Sequence, residues 1–271
     1  MPIKDFTHKT AVVTGGASGI GLALAAELSR RGCDVALVDC HADRLRDAQQ
    51  QLAASGTRIT AHAYDVGAVE QVTALCEAVS QAHGHIHLLV NSAGVSVAGR
   101  FLETSLADFE WLMRVNFWGT VYCCKAFLPL LLKESEAHVV TLCSSFGLLG
   151  FAGKSAYSAS KFAVRGFSEA LRMELADTRA GLTVVYPGPV QTNILRDGRA
   201  ASEAQRQAEA EFLSSRAIPA ARVARQVVRG ITRNAARVRL SLDYAAIDWL
   251  TRLSPALAQA GGAWAARRMP F

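Results

Sequence analysis

Three residues of this sequence have types and spacing suited to proton transfer at a carbonyl or an alcohol. They are Ser144, Tyr157 thirteen residues later, and Lys161 four residues beyond that, all within SSFGLLGFAGKSAYSASK. If Ser155 caps a helix over residues 156–177, Tyr157 and Lys161 share one face, roughly 6 Å apart along the axis. A phenol with a pKa of about 10 is a poor acid or base at neutral pH, and an ammonium beside it favours the phenolate and lowers that value. The tyrosine then becomes a usable acid/base. Ser144 follows the apolar run 139–142, which reads as a strand, so its hydroxyl stands where it can donate to an oxygen gaining negative charge. A Tyr-x-x-x-Lys pair alone is common in helices that do no chemistry, so the reading depends on what surrounds it.

What must position these groups is an alternation of strands and helices. Residues 11–13 form a short apolar strand, followed at once by Gly15-Gly16-Ala17-Ser18-Gly19-Ile20-Gly21 and a helical pattern to about Arg31. Glycines permit a tight turn and let backbone amides reach a pyrophosphate, while the helix N-terminus adds partial positive charge. The second strand, 35–38, ends in Asp39. A carboxylate there accepts from adenosine ribose hydroxyls and repels a 2′-phosphate, which favours NAD over NADP; Arg44 and Arg46 are the nearby cations that argue the other way. A polar helix over 41–54, a strand over 59–64 and a fourth strand over 87–90 follow. After the last come Asn91-Ser92-Ala93-Gly94, small enough for backbone to approach the ribose and nicotinamide side of a cofactor. A long helical stretch, 106–132, carries Asn116, a locally poor choice inside a helix. The strand 182–186 runs into Pro187-Gly188-Pro189-Val190-Gln191-Thr192, which by itself is an ordinary turn. The sum is a single-domain α/β chain over 1–271: a Rossmann-like doubly wound parallel sheet with helices on both faces.

The segments TGGASGIG, NSAG, YSASK and PGPVQTN, spanning about residues 9–194, resemble the short-chain dehydrogenase/reductase family. The G-x-x-x-G-x-G spacing of Gly15, Gly19 and Gly21 is that family's version of the dinucleotide turn. The resemblance implies that Asp65 and Val66 contact the adenine, although Asp65 equally suits a cap for a helix beginning near Gly67. It implies that Asn116 bends its helix and holds a water joining Lys161 to solvent, and that Lys161 also holds the nicotinamide ribose. Val190, through its backbone, and Thr192, through its hydroxyl, meet the carboxamide. Cys40 and Ser18 stand where relatives preferring NADP often carry basic residues. Ser92 departs from the usual asparagine but keeps hydrogen-bonding capacity. The implied reaction is reversible hydride transfer between a nicotinamide cofactor and a secondary alcohol or ketone, with Asn116, Ser144, Tyr157 and Lys161 as the catalytic set. An NADP-dependent carbonyl reductase and a catalytically idle dinucleotide-binding regulator are the rival readings.

Phe146, Leu148, Leu149 and Phe151 lie in a loop, where so many large apolar groups suggest the wall or floor of a substrate pocket, with Phe146 and Phe151 as lining residues for a lipophilic substrate. Residues 194–215 are polar and alanine-rich and fall where the family places a lid. A helix over 219–234, a last strand over 238–242, and a C-terminal helical extension over 243–271 in two amphipathic pieces complete the chain. The net charge of +6 comes from that end: residues 1–193 carry 16 Lys/Arg against 17 Asp/Glu, and residues 194–271 carry 13 against 6. The arginines are dispersed, so solvated helix faces are expected, with no nucleic-acid partner. Six cysteines without a C-x-x-C pair read as reduced thiols of a cytoplasmic enzyme. His83, His85 and His87 lack acidic neighbours in sequence, and no metal site is expected. Neither a signal peptide nor a membrane span is predicted. The resemblance implies a homodimer or homotetramer joined through the helices bearing Asn116 and Tyr157.

Overall fold

Apolar runs without a polar face, such as Ala11-Val12-Val13, suit strands covered on both sides. The computed structural model, which describes residues 3–214 and 217–266, places them so. The elements run β1 (Thr10–Thr14), α1 (Gly19–Ser29), β2 (Asp34–Asp39), α2 (Ala42–Leu52), β3 (Ile59–Ala63), α3 (Val69–His83), β4 (Leu88–Asn91) and β5 (Val97–Ala98). Then come α4 (Leu106–Met113), α5 (Gly119–Leu131), β6 (Ala137–Leu142), α6 (Ser155–Glu174), β7 (Ala180–Tyr186) and β8 (Arg199–Ala200). The chain continues through α7 (Glu203–Ser214), α8 (Ala220–Thr232), β9 (Arg237–Arg239), α9 (Leu242–Leu253) and α10 (Pro255–Ala266).

Seven strands form one sheet in the order β3-β2-β1-β4-β6-β7-β9, with every neighbouring pair parallel. The chain leaves β1 towards β2 and β3, then returns to β1's other edge as β4. That reversal opens a crevice at the carboxyl ends of β1 and β4, where folds of this kind bind ligand. Alternate strand residues feed two cores. Ala11, Val13, Val35 and Leu37 join Leu24, Leu28, Val227 and Ile231 on the side of α1 and α8. Val12, Ala36 and Val38 join Leu75, Val79, Phe127 and Val164 on the side of α3, α5 and α6. A second, two-stranded parallel sheet pairs β5 with β8 and ties the segment after β4 to the expected lid.

Three expectations are corrected. The stretch 106–132 is two helices separated by a π-turn over Arg114–Trp118, centred on Asn116. Ser155 is the first residue of α6, the cap position belongs to Lys154, and the buried Ser155 hydroxyl has no partner. The last strand is shorter than residues 238–242, because β7 offers partners only to Arg237–Arg239 and Ser241 already accepts from Ala245 N at the start of α9. The extension packs within the chain. Buried Asp248 of α9 accepts from Arg237 at 3.0 Å, Arg239 at 3.1 Å and Arg252 at 2.9 Å. Ser215 of the expected lid and residues 267–271 of the extension lie outside the described residues.

Candidate active site

A cavity of about 580 Å³ runs across the carboxyl ends of the strands. At one end the turn after β1 meets the segment after β4. Gly15 has φ +64°, and a Cβ on it would lie 2.9 Å from Ala93 backbone; a Cβ on Gly21 would collide with the Gly15 carbonyl. The turn is therefore packed against its own backbone and against the 91–94 segment, and the first residues of α1, Gly19 to Gly21, lie in the cavity wall. Asp39, ending β2, is half-buried there: Oδ2 accepts from Ala17 N at 3.4 Å, and Oδ1 from His41 N at 3.1 Å. A glycine cradle that any side chain would fill, a helix N-terminus and a carboxylate at the next strand end fit a dinucleotide.

Most sequence-predicted cofactor residues share this wall: Gly15, Ser18, Gly19, Ile20, Gly21, Asp39, Asp65, Val66, Ala93, Gly94, Pro187, Gly188, Val190 and Thr192. Asn91 does not. It is buried at the end of β4, where Nδ2 donates to Cys124 Sγ at 3.3 Å, so it holds α5 against the sheet. Asp65 Oδ1 accepts from Gly67 N at 2.8 Å; it fixes the turn leading to α3, which starts two residues later than Gly67 at Val69. Arg44, read as a cation available to a phosphate, is held by Asp197 in a bidentate pair of 2.5 and 2.8 Å.

The chemical groups lie at the other end. Ser144 ends the approach from β6 and opens a short turn, its Oγ accepting from Phe146 N at 3.2 Å. Tyr157 and Lys161 project from the first two turns of α6. Lys161 Nζ lies 5.6 Å from the Tyr157 ring centroid and donates to the Leu142 carbonyl at 3.1 Å. All three are buried and line the cavity. Asn116 is not in the wall. Its Oδ1 accepts from Val95 N at 2.8 Å, and its Nδ2 donates to Val95 O at 3.0 Å and Ser160 Oγ at 3.1 Å, which ties the post-β4 segment to α6.

The expectation that Lys161 lowers the phenol pKa is not met in the chain by itself. Burial raises the Tyr157 pKa, with a hydrogen bond from Ser144 opposing it, and burial lowers that of Lys161. Water is withdrawn from both groups, which penalises the charged form of each.

Phe146 and Phe151 line the cavity, and Phe146 packs edge-on against Tyr157 with centroids 5.6 Å apart. Leu148 belongs to the core, while Leu149 lies beneath Gly262 of α10. Sequence reasoning missed Trp111, Val115, Lys154 and Glu209 in this wall. Lys154 stood inside the motif, three residues before Tyr157; Glu209, on α7, carried no local signal. The histidine tract does find an acid: His85 Nδ1 and His87 Nε2 lie 2.9 and 3.5 Å from Glu134. The ligand-type atoms that converge among the described residues belong to Asp39, Cys40 and His41, within 4.8 Å of one another.

Residues 9–203 match the family described as short chain dehydrogenase. The chain belongs to the short-chain dehydrogenase/reductase family. It is 37% identical over 255 residues to SadH of Mycobacterium tuberculosis, designated only as an oxidoreductase, covering 93% of this chain and 92% of that protein. It is 35% identical over 186 residues to the 3-ketodihydrosphingosine reductase of Mus musculus, covering 67% of this chain and 56% of the other. Among solved structures, a short-chain dehydrogenase/reductase from Burkholderia phymatum in complex with NAD superposes with a TM-score of 0.86 at 29% identity, covering 94% of this chain and 96% of that one. Membership makes the chain an oxidoreductase of this family. No described helix is long and apolar enough to cross a membrane.

Proposed function

We propose that this enzyme transfers hydride between NAD and a secondary alcohol or ketone on a lipophilic frame, with Ser144, Tyr157, Lys161 and Asn116 as its catalytic set. The observation that carries the reading is that Ser144, Tyr157 and Lys161 share one buried wall with the glycine cradle. Bound NAD supplies the hydride acceptor, and in its reduced form the donor. Ser144 Oγ–H donates to the substrate oxygen and fixes it beside Tyr157 Oη. A phenol kept neutral by burial gives its proton to that oxygen during reduction. In oxidation the phenolate takes the proton of the substrate hydroxyl and returns to phenol, and Lys161 offsets the charge of that phenolate. Asn116 acts by position, clamping Val95 and Ser160 so that cofactor-side backbone and α6 keep their spacing.

NAD preference is supported by Asp39, a carboxylate in the cradle wall that would repel a 2′-phosphate, and by the Arg44 guanidinium being already held by Asp197. Trp111, Val115, Phe146, Phe151 and Ile194 give the substrate end an apolar wall, in keeping with a lipophilic substrate. The name of the mouse relative, 3-ketodihydrosphingosine reductase, points the same way. Residues 1–271 are read as one domain, with 194–215 covering the substrate. Exposed Trp118, Phe162 and Met173 support assembly through α6 and the turn between α4 and α5, and six free cysteines suit a reducing cytoplasm. Secondary alcohols from short aliphatics to rigid polycycles, supplied with NAD and followed by NADH absorbance, test the reaction. NADH formation with at least one of them is expected, and inertness across the panel despite tight NAD binding would favour an idle regulator.

A further inference from the structure

Two charged residues in the cavity wall have no part in the scheme above. Lys154 and Glu209 form a buried ion pair, with 8% and 10% of their side chains exposed. Such burial is costly unless every proton and lone pair finds a partner. Lys154 meets that condition: Nζ donates to Ser96 Oγ at 2.9 Å, to the Val97 carbonyl at 3.3 Å and to Glu209 Oε1, which uses all three protons. Glu209 does not meet it. Its Oε1 takes Lys154 and a long bond from Ser96 Oγ at 3.5 Å, and Oε2 receives no hydrogen bond from the described residues.

The pair stands beside the reacting centre, with Lys154 Nζ 5.9 Å from the Tyr157 ring centroid, and Trp111, Val115, Phe146, Phe151 and Ile194 line the same cavity. A purely hydrocarbon substrate filling this space would strip water from Oε2 and leave a carboxylate oxygen unsatisfied. A substrate that brings its own donor to that point avoids the penalty. Because Lys154 already balances the charge of Glu209, a neutral donor suits the position better than a second cation. We propose that Glu209, held in place by Lys154, is a specificity-determining residue that accepts a hydrogen bond from a substrate hydroxyl. The preferred alcohol or ketone is then an amphiphile with a second hydroxyl near the reacting carbon. This inference rests on the hydride-transfer reading given under Proposed function.

The test compares matched secondary alcohols, with and without a second hydroxyl at graded spacing, for kcat/KM with NAD. In wild type the hydroxylated member is expected to be favoured by about 100-fold or more at its best spacing, since sites built to bind a hydroxyl reject analogues that lack it. The Lys154→Met/Glu209→Leu double variant removes both halves of the pair, leaving no orphaned charge. Its ratio should fall to near one, chiefly through a higher KM for the hydroxylated substrate. Glu209→Gln, which preserves shape and a carbonyl partner for Lys154, is the fallback if the double variant does not fold, and its ratio should drop about tenfold. Equal turnover of the two wild-type substrates, an equal loss on both in the variants, or preference for an amino analogue over the hydroxyl one would overturn the role of Glu209 while leaving the reaction intact. Turnover of neither alcohol would sink the reaction, and the inference with it.

Discussion

Arg44 and Asp197 offer a sharp test of cofactor choice. The guanidinium is gripped at both nitrogens, at 2.5 and 2.8 Å, beside the strand end that carries Asp39. The hydrogen bonds that Arg44 donates to Asp197 hold the Arg44 pKa above its ordinary value; burial pushes Asp197 up, but those bonds outweigh it and leave it lowered. Asp197→Ala releases the arginine towards the position of a 2′-phosphate. A charge-assisted pair contributes about 1.5–3 kcal/mol. The two side chains are 28% and 25% exposed, so screening places the gain at the low end. Roughly 1.4 kcal/mol corresponds to a tenfold change in affinity. The ratio of the NADPH to the NADH dissociation constant, measured by nicotinamide fluorescence titration, should therefore fall about tenfold in Asp197→Ala. Adding Arg44→Ala should reverse the fall. A ratio unchanged by Asp197→Ala would refute the claim that the pair withholds Arg44 from phosphate.

Two stability predictions follow from buried ionisable groups. His138 lies inside β6 with Nε2 2.8 Å from Thr183 Oγ1, and burial depresses its pKa to about 3. The unfolded chain, with an ordinary value of about 6.5, takes the proton first, so stability is full above that pH and drains away towards pH 3, by about 2–3 kcal/mol at pH 4.5. Burial lowers His62, His83 and His87 in the same sense; guanidinium chloride midpoints at pH 7 and 4.5 should show a smaller loss in His138→Gln than in wild type, and equal losses would count against the assignment. Asp248→Ala removes the shared carboxylate of Arg239 and Arg252, leaves Arg237 with Glu169 alone and should cost about 3 kcal/mol, with proteolytic cleavage appearing first in α9; a melting temperature within a degree of wild type would contradict this.

What was legible in the sequence was local. The glycine turn, the apolar strands and the periodic helices declared themselves because each depends on neighbours within a few residues. The small two-stranded sheet, the length of β9 and the break at Asn116 depend on partners far along the chain. β9 ends where β7 stops offering pairs, which no pattern in 238–242 reveals. Arg44 looked like a free cation because Asp197 lies 153 residues away, and Lys154 passed without notice because its partner Glu209 lies 55 residues further on, in α7. The pKa of Tyr157 was misjudged for a related reason: sequence spacing counts the nearby ammonium but not the water that burial removes.

The central claim is that the Tyr157 hydroxyl carries the proton that accompanies hydride transfer. Tyr157→Phe removes one oxygen and keeps the ring that packs against Phe146. NADH binding by fluorescence should stay within about twofold of wild type, while kcat for the best secondary alcohol should fall by about a thousandfold. Turnover within tenfold of wild type in that variant would contradict the account.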